Sequence, residues 1–214
     1  VVFLMASACA VEGASVEAPH PSELVRAGAQ VTTIRRADLD GDGGREIVVA
    51  SVTPRADGLA APHLEVFGAG GERWVRMFDA EAPAPPGADD APPRMIASAE
   101  GFVAQSVDVL DATDLDHDGA SELVAAIASA GATAGPLDLW ILTVGGSGRF
   151  RTAFYGGTAR GGRVTVDGDV VRFEVPVYRK DDPGCCPSVL EHQTIGLDPQ
   201  SGRIAILERR RERL

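Results

Sequence analysis

The chain has 214 residues, 44% of them hydrophobic and 24% charged, which places it among ordinary globular proteins of one or two domains. Its formal charge of −11 disfavours nonspecific attraction to nucleic acid or anionic lipid, so no nucleic-acid partner is expected. Only 5% of residues are aromatic while 25 are Gly and 14 Pro, a turn-rich composition that suits many short strands better than a helical bundle.

The first ten residues, VVFLMASACA, run from apolar to small side chains and reach Cys9. This reads as the end of a secretory signal segment. The tetrad ASAC resembles a bacterial lipobox, with Ala6 where leucine is usual; the resemblance implies acylation of Cys9 and an exported, envelope-anchored or extracellular protein. Residues 1–30 are expected to be leader and polar tether, and 31–214 a single β domain.

The most informative feature is an internal repeat. DLDGDGGREIVVA at 38–50 matches DLDHDGASELVAA at 114–126, eight of thirteen positions being identical at an offset of 76. The same offset carries Gly70 onto Gly146, Arg73 onto Arg149, Trp74 onto Phe150 and Phe78 onto Phe154. A register held over some forty residues marks a duplicated supersecondary unit. Unit one (31–79) has predicted strands at 31–37, 46–52, 63–69 and 73–79. Unit two (103–155) has them at 103–110, 122–129, 137–144 and 149–155. The apolar runs at 47–50 and 123–127 are of strand length and read as strands buried on both faces. Between the units, EAPAPPGADDAPP lies in a Pro-rich linker, 80–94. A third unit (162–209) lacks the acidic loop: Asp167 and Gly168 mark a hairpin between runs at 164–166 and 170–175, with further strands at 189–197 and 203–208. The fold class is therefore all-β: about three four-stranded antiparallel β-meander units. The basic residues Arg209, Arg210, Arg211 and Arg213 are expected to form a solvated tail.

The spacing D-x-D-x-D-G-x-x-E sets carboxylates at alternate positions of a tight loop, where they converge on one point. Asp38, Asp40, Asp42 and Glu46 offer side-chain oxygens, with the Gly44 carbonyl between them. Asp114, Asp116, Asp118 and Glu122 repeat the set with the Ala120 carbonyl. Hard oxygen donors in a flexible shell suit Ca²⁺, whereas Mg²⁺ demands a smaller octahedral cage. An EF-hand is excluded, because that loop needs glutamate at its twelfth position, where this chain has Val49 and Ala125.

Twice repeated and followed each time by an apolar strand, the motif resembles the FG-GAP/VCBS-type calcium repeat of integrin α-subunit propellers and many bacterial secreted proteins. The resemblance implies two Ca²⁺ sites on the ten residues just named, and a truncated propeller-like architecture with fewer blades than a closed ring.

Cys185 and Cys186 in an exported protein are expected to be oxidised, either to each other as a vicinal disulfide or between chains. No H-E-x-x-H, G-x-S-x-G, P-loop or dinucleotide fingerprint occurs. Trp74, Trp140, Phe150 and Phe154 sit at strand spacing and are expected in the core. The expectation is a non-catalytic calcium-binding scaffold or binding module for an unidentified protein or polysaccharide, touching a membrane only through a lipid anchor. The rival is an extracellular metal-assisted hydrolase or lyase acting on glycan or peptide.

Overall fold

A computed structural model describes residues 19–54, 60–70, 73–80, 103–130, 135–145, 148–183 and 186–214. Cys9 and the lipobox, most of the Pro-rich linker and Cys185 lie outside them. After a single helical turn, α1 (Pro21–Leu24), the described chain is built of strands. The first unit comprises β1 (Gln30–Ala37), β2 (Glu46–Pro54), β3 (Ala60–Gly70) and β4 (Arg73–Ala80); the second comprises β5 (Val103–Thr113), β6 (Glu122–Ala130), β7 (Leu137–Val144) and β8 (Phe150–Gly157). The third comprises β9 (Arg163–Asp167), β10 (Val170–Val177), β11 (Val189–Asp198) and β12 (Arg203–Arg213). Each unit is one antiparallel meander, ordered β1-β2-β3-β4, β5-β6-β7-β8 and β12-β11-β10-β9, and none closes into a barrel. The protein is all-β, as its turn-rich composition implied.

The three sheets stack face to face with the second in the middle. Alternation along a strand sends successive side chains to opposite faces, and here both faces of the middle sheet are apolar. Leu123, Ala125 and Ile127 pack with Val48, Ala50, Leu64 and Val66 of the first sheet. Val124, Leu139 and Ile141 turn the other way, onto Val171, Phe173, Ile195 and Ile204 of the third. That explains why 123–127 is uninterruptedly apolar. Trp140 and Phe150 are buried in the first of these cores, and Trp74 and Phe154 pack at core margins. Residues 19–30 are more than a spacer: Leu24 and Val25 pack against Ile47, Val49 and Phe67 on the outer face of the first sheet.

The repeat keeps its offset of 76 in the acidic loop, the second strand and the fourth strand, but the third strand is displaced. Ile47 pairs with Phe67, whereas Leu123 pairs with Leu142, so the β6–β7 connection is one residue shorter. Leu139 and Ile141, not Trp140 and Leu142, therefore take the places of Leu64 and Val66 facing the next sheet. In the third unit Asp167 ends β9 and pairs with Val170, so the two-residue turn is Gly168 and Asp169, one place later than the sequence suggests. The C-terminal arginines are not a tail: β12 continues through Arg213, paired with β11 as far as Val189.

Candidate metal centres

Both acidic loops connect the first and second strands of their units, and their backbones are tied in similar but not identical ways. The first aspartate spans the turn: Asp38 accepts the Gly41 and Gly43 N–H groups at 2.8 and 2.9 Å, and Asp114 those of Asp118 and Gly119, each at 3.1 Å. The third aspartate accepts the N–H two residues on, from Gly44 to Asp42 at 2.6 Å and from Ala120 to Asp118 at 2.9 Å. The glutamate reaches back seven residues, Glu46 to the Leu39 N–H and Glu122 to the Leu115 N–H, both at 2.8 Å. Reversal is achieved with left-handed backbone at the fourth and sixth loop positions, which are Gly41 and Gly43 in one copy and His117 and Gly119 in the other. His117 adopts φ 61° there and turns its exposed ring to Asp169, 3.4 Å away.

Each loop is pinned by its second residue. Leu39 and Leu115 are almost wholly buried, the former in the core between the first two sheets and the latter in the core between the last two. Sequence reasoning centred on the carboxylates passed over these leucines, although their identity in both copies was the available signal. The loops also touch each other. The Ser121 N–H donates to the Asp38 carbonyl at 2.7 Å, and Gly41 lies against Ala120.

Three carboxylates converge in each loop, but not the same three. In the first, oxygens of Asp38, Asp40 and Asp42 lie within 4.8 Å of one another; in the second, those of Asp114, Asp116 and Glu122 do. Glu46 and Asp118 are outside these clusters. Gly44 and Ala120 enter as N–H donors that orient the third aspartate.

The two clusters differ in burial. Asp40 and Asp42 are exposed and Asp38 half-buried, with backbone N–H groups on all three. Glu122 is fully buried, and its Oε1, like Oδ1 of Asp116, meets no hydrogen-bond donor of good geometry. Burial pushes the Glu122 carboxyl up to about 7, against the Leu115 N–H, with the Asp116 charge adding to the rise and the Thr143 hydroxyl opposing it weakly. Burial likewise raises Asp116, reinforced by Asp118, and raises Glu46.

Buried carboxylate oxygens without donors are costly and call for a cation or a proton. The donor set is all oxygen and all carboxylate, which fits Ca²⁺ and does not fit Zn²⁺, a metal of nitrogen and sulfur donors in structural sites. Cys186 is exposed, and its N–H donates to the Pro183 carbonyl at 2.9 Å; the disulfide expected with Cys185 concerns a residue outside the described ones. No protein-family model matches the chain, and no curated protein matches it.

Proposed function

We propose that the protein is a calcium-stabilised, exported β-repeat module of the FG-GAP/VCBS type, with loops 38–46 and 114–122 each taking one Ca²⁺. Its role is non-catalytic: it holds a rigid sheet stack for scaffolding, or for binding a protein or polysaccharide outside the cell. The observation that carries the calcium reading is the pair of buried oxygens, Asp116 Oδ1 and Glu122 Oε1, that lack donors of good geometry within a cluster of three convergent carboxylates. A divalent cation supplies what those oxygens lack and relieves the mutual repulsion of the aspartates. The duplicated hydrogen-bond pattern supports extending the reading to the first loop.

Affinity in the range of extracellular calcium modules, on the order of 10⁻⁴ M, follows from the partly open loops. At ~1 mM Ca²⁺ each site then adds about 1.4 kcal/mol of stability by mass action. Calorimetric titration of the full chain should give two Ca²⁺ per molecule, with Mg²⁺ binding more weakly, and the melting temperature should rise with Ca²⁺. The double substitution Asp40→Ala, Asp116→Ala should abolish both effects. A melting temperature indifferent to Ca²⁺ overturns the reading.

A further inference from the structure

We propose that the far end of the third sheet is a binding site for a small organic polycarboxylate, gripped by Arg179, Arg211 and Arg213 over an apolar floor. The site lies at the end of the sheet away from the acidic loops. Loop 114–122 meets the third sheet at its β9–β10 turn, where Thr113 and His117 contact Gly168 and Asp169. The cleft is at the opposite end of β10, beside Val177. The eight residues of β10 separate the two, about 23 Å at strand rise.

Register places the components. Val177, Val189 and Arg213 form one cross-strand row, and Val175, Glu191 and Arg211 the next. Residues directly opposed in a sheet share a face, and this face is the one that packs on the middle sheet through Phe173. Beyond that contact it opens into a cavity of about 470 Å³ lined by Val177, Arg179, Val189, Arg211, Glu212 and Arg213. That volume is within the range of ordinary small-ligand pockets, roughly 300–1,000 Å³.

Charge is segregated across β12. Glu212, which also lines the cavity, has its carboxylate 3.5 Å from His192 and 3.8 Å from Arg210 on the other face, so its charge is matched there. Among the described residues, the buried carboxylate on the cleft side is Glu191, which accepts from Arg211 at 2.7 Å and from Gln193 at 2.8 Å. Asp182, beside Arg179, is engaged by the Arg179 N–H and by the N–H and hydroxyl of Ser188. Arg179 and Arg213 are exposed and make no close ion pair among the described residues; the Arg179 charge acts on Asp182 from a distance, which leaves the guanidinium forks open to a ligand on a chain of net charge −11. The frame is fixed, since the Leu214 N–H donates to the Ser188 carbonyl at 3.1 Å and ties the strand end to the loop.

Guanidinium forks match carboxylates bidentately. Arg211 and Arg213 stand at alternate strand positions, about 7 Å apart along β12, and Arg179 comes from another element. Three separated forks suit an anion whose carboxylates are on different carbons better than a single compact oxyanion, and Val177 and Val189 suit its carbon frame.

The test is calorimetric titration of the full chain, freed of divalent cations, with propane-1,2,3-tricarboxylate, acetate, inorganic phosphate and a hexaglutamate peptide at matched ionic strength. Saturable one-to-one binding of the tricarboxylate is expected, at least tenfold tighter than acetate or phosphate. The double substitution Arg179→Ser, Arg213→Ser should weaken it at least tenfold with an unchanged circular-dichroism spectrum and melting temperature; Arg211 is spared because it neutralises Glu191. Absence of saturation, equal binding by the double variant, or phosphate binding as tightly as the tricarboxylate overturns the proposal. Tighter binding of the peptide overturns it in favour of a peptide-docking strand.

Discussion

Glu122 is the residue on which the second loop turns. Its carboxyl is buried, with one oxygen on the Leu115 N–H and the other without a donor of good geometry, and its ionisation is displaced up to about 7 from the ordinary 4.5. The sign follows from linkage. Below the ordinary value both folded and unfolded chains hold the proton and nothing is lost. As pH rises from about 4.5 through about 7, the unfolded chain releases its proton first, so metal-free stability falls, by about 3 kcal/mol at most. Glu122→Gln is neutral at every pH, and its amide can donate towards the orphaned Asp116 oxygen. Without calcium the variant should therefore melt higher than the parent at pH 8 and alongside it at pH 4. With ~1 mM Ca²⁺ at pH 8 the order should reverse, because the ion needs the carboxylate. Thermal melts across pH with and without Ca²⁺ check this; identical curves for the two proteins would remove Glu122 from the site.

At the scale of elements, the two acidic loops behave as one unit. The Ser121 N–H, beside Glu122, holds the carbonyl of Asp38, and Gly41 packs on Ala120. An ion that fixes loop 114–122 thus also fixes the backbone from which Asp38 projects. Asp116→Ala should weaken Ca²⁺ binding at the first loop about fivefold, a coupling of about 1 kcal/mol, and by reciprocity Asp40→Ala should weaken the second loop by the same factor. Site-resolved NMR titration of each variant measures both; affinities unchanged at the surviving loop would make the sites independent. The strands that carry these loops were legible in advance, since turn residues and short apolar runs mark them. The one-residue displacement of the third strand was not, because the shorter β6–β7 connection alters pairing without altering the neighbouring motif.

For the whole molecule, the decisive fact is that the middle sheet is shared by two cores. Leu123 belongs to the core with the first sheet and Ile141 to the core with the third, both almost completely buried. Removing either side chain leaves a cavity that the flanking sheets cannot close, costing about 2–5 kcal/mol. Because each sheet buries its apolar face only against a neighbour, the three should unfold together. Differential scanning calorimetry of Leu123→Ala and Ile141→Ala should show one transition in each, lowered by roughly 2–4 °C per kcal/mol. A variant that splits the peak in two would show the sheets to be separate folding units.

The amino-acid sequence by itself determined the strand count, the all-β class and the acidic-loop motif. These depend on local chemistry: glycine at positive φ, apolar runs of strand length, and carboxylates at alternate positions of a turn. Which carboxylates converge was decided by tertiary structure. Glu122 joins Asp114 and Asp116, while Glu46, equivalent in sequence, stays out of its cluster. Both glutamates are buried, and the difference lies in the aspartates: loop 114–122 lies between its neighbours, with the first loop on one side and the β9–β10 turn on the other, which keeps Asp116 half-buried, whereas Asp40 and Asp42 are open to water. The same holds for the C-terminal arginines. Their run reads as a solvated tail, but pairing with β11 makes it a strand, and the strand's alternation then sorts its charges onto two faces.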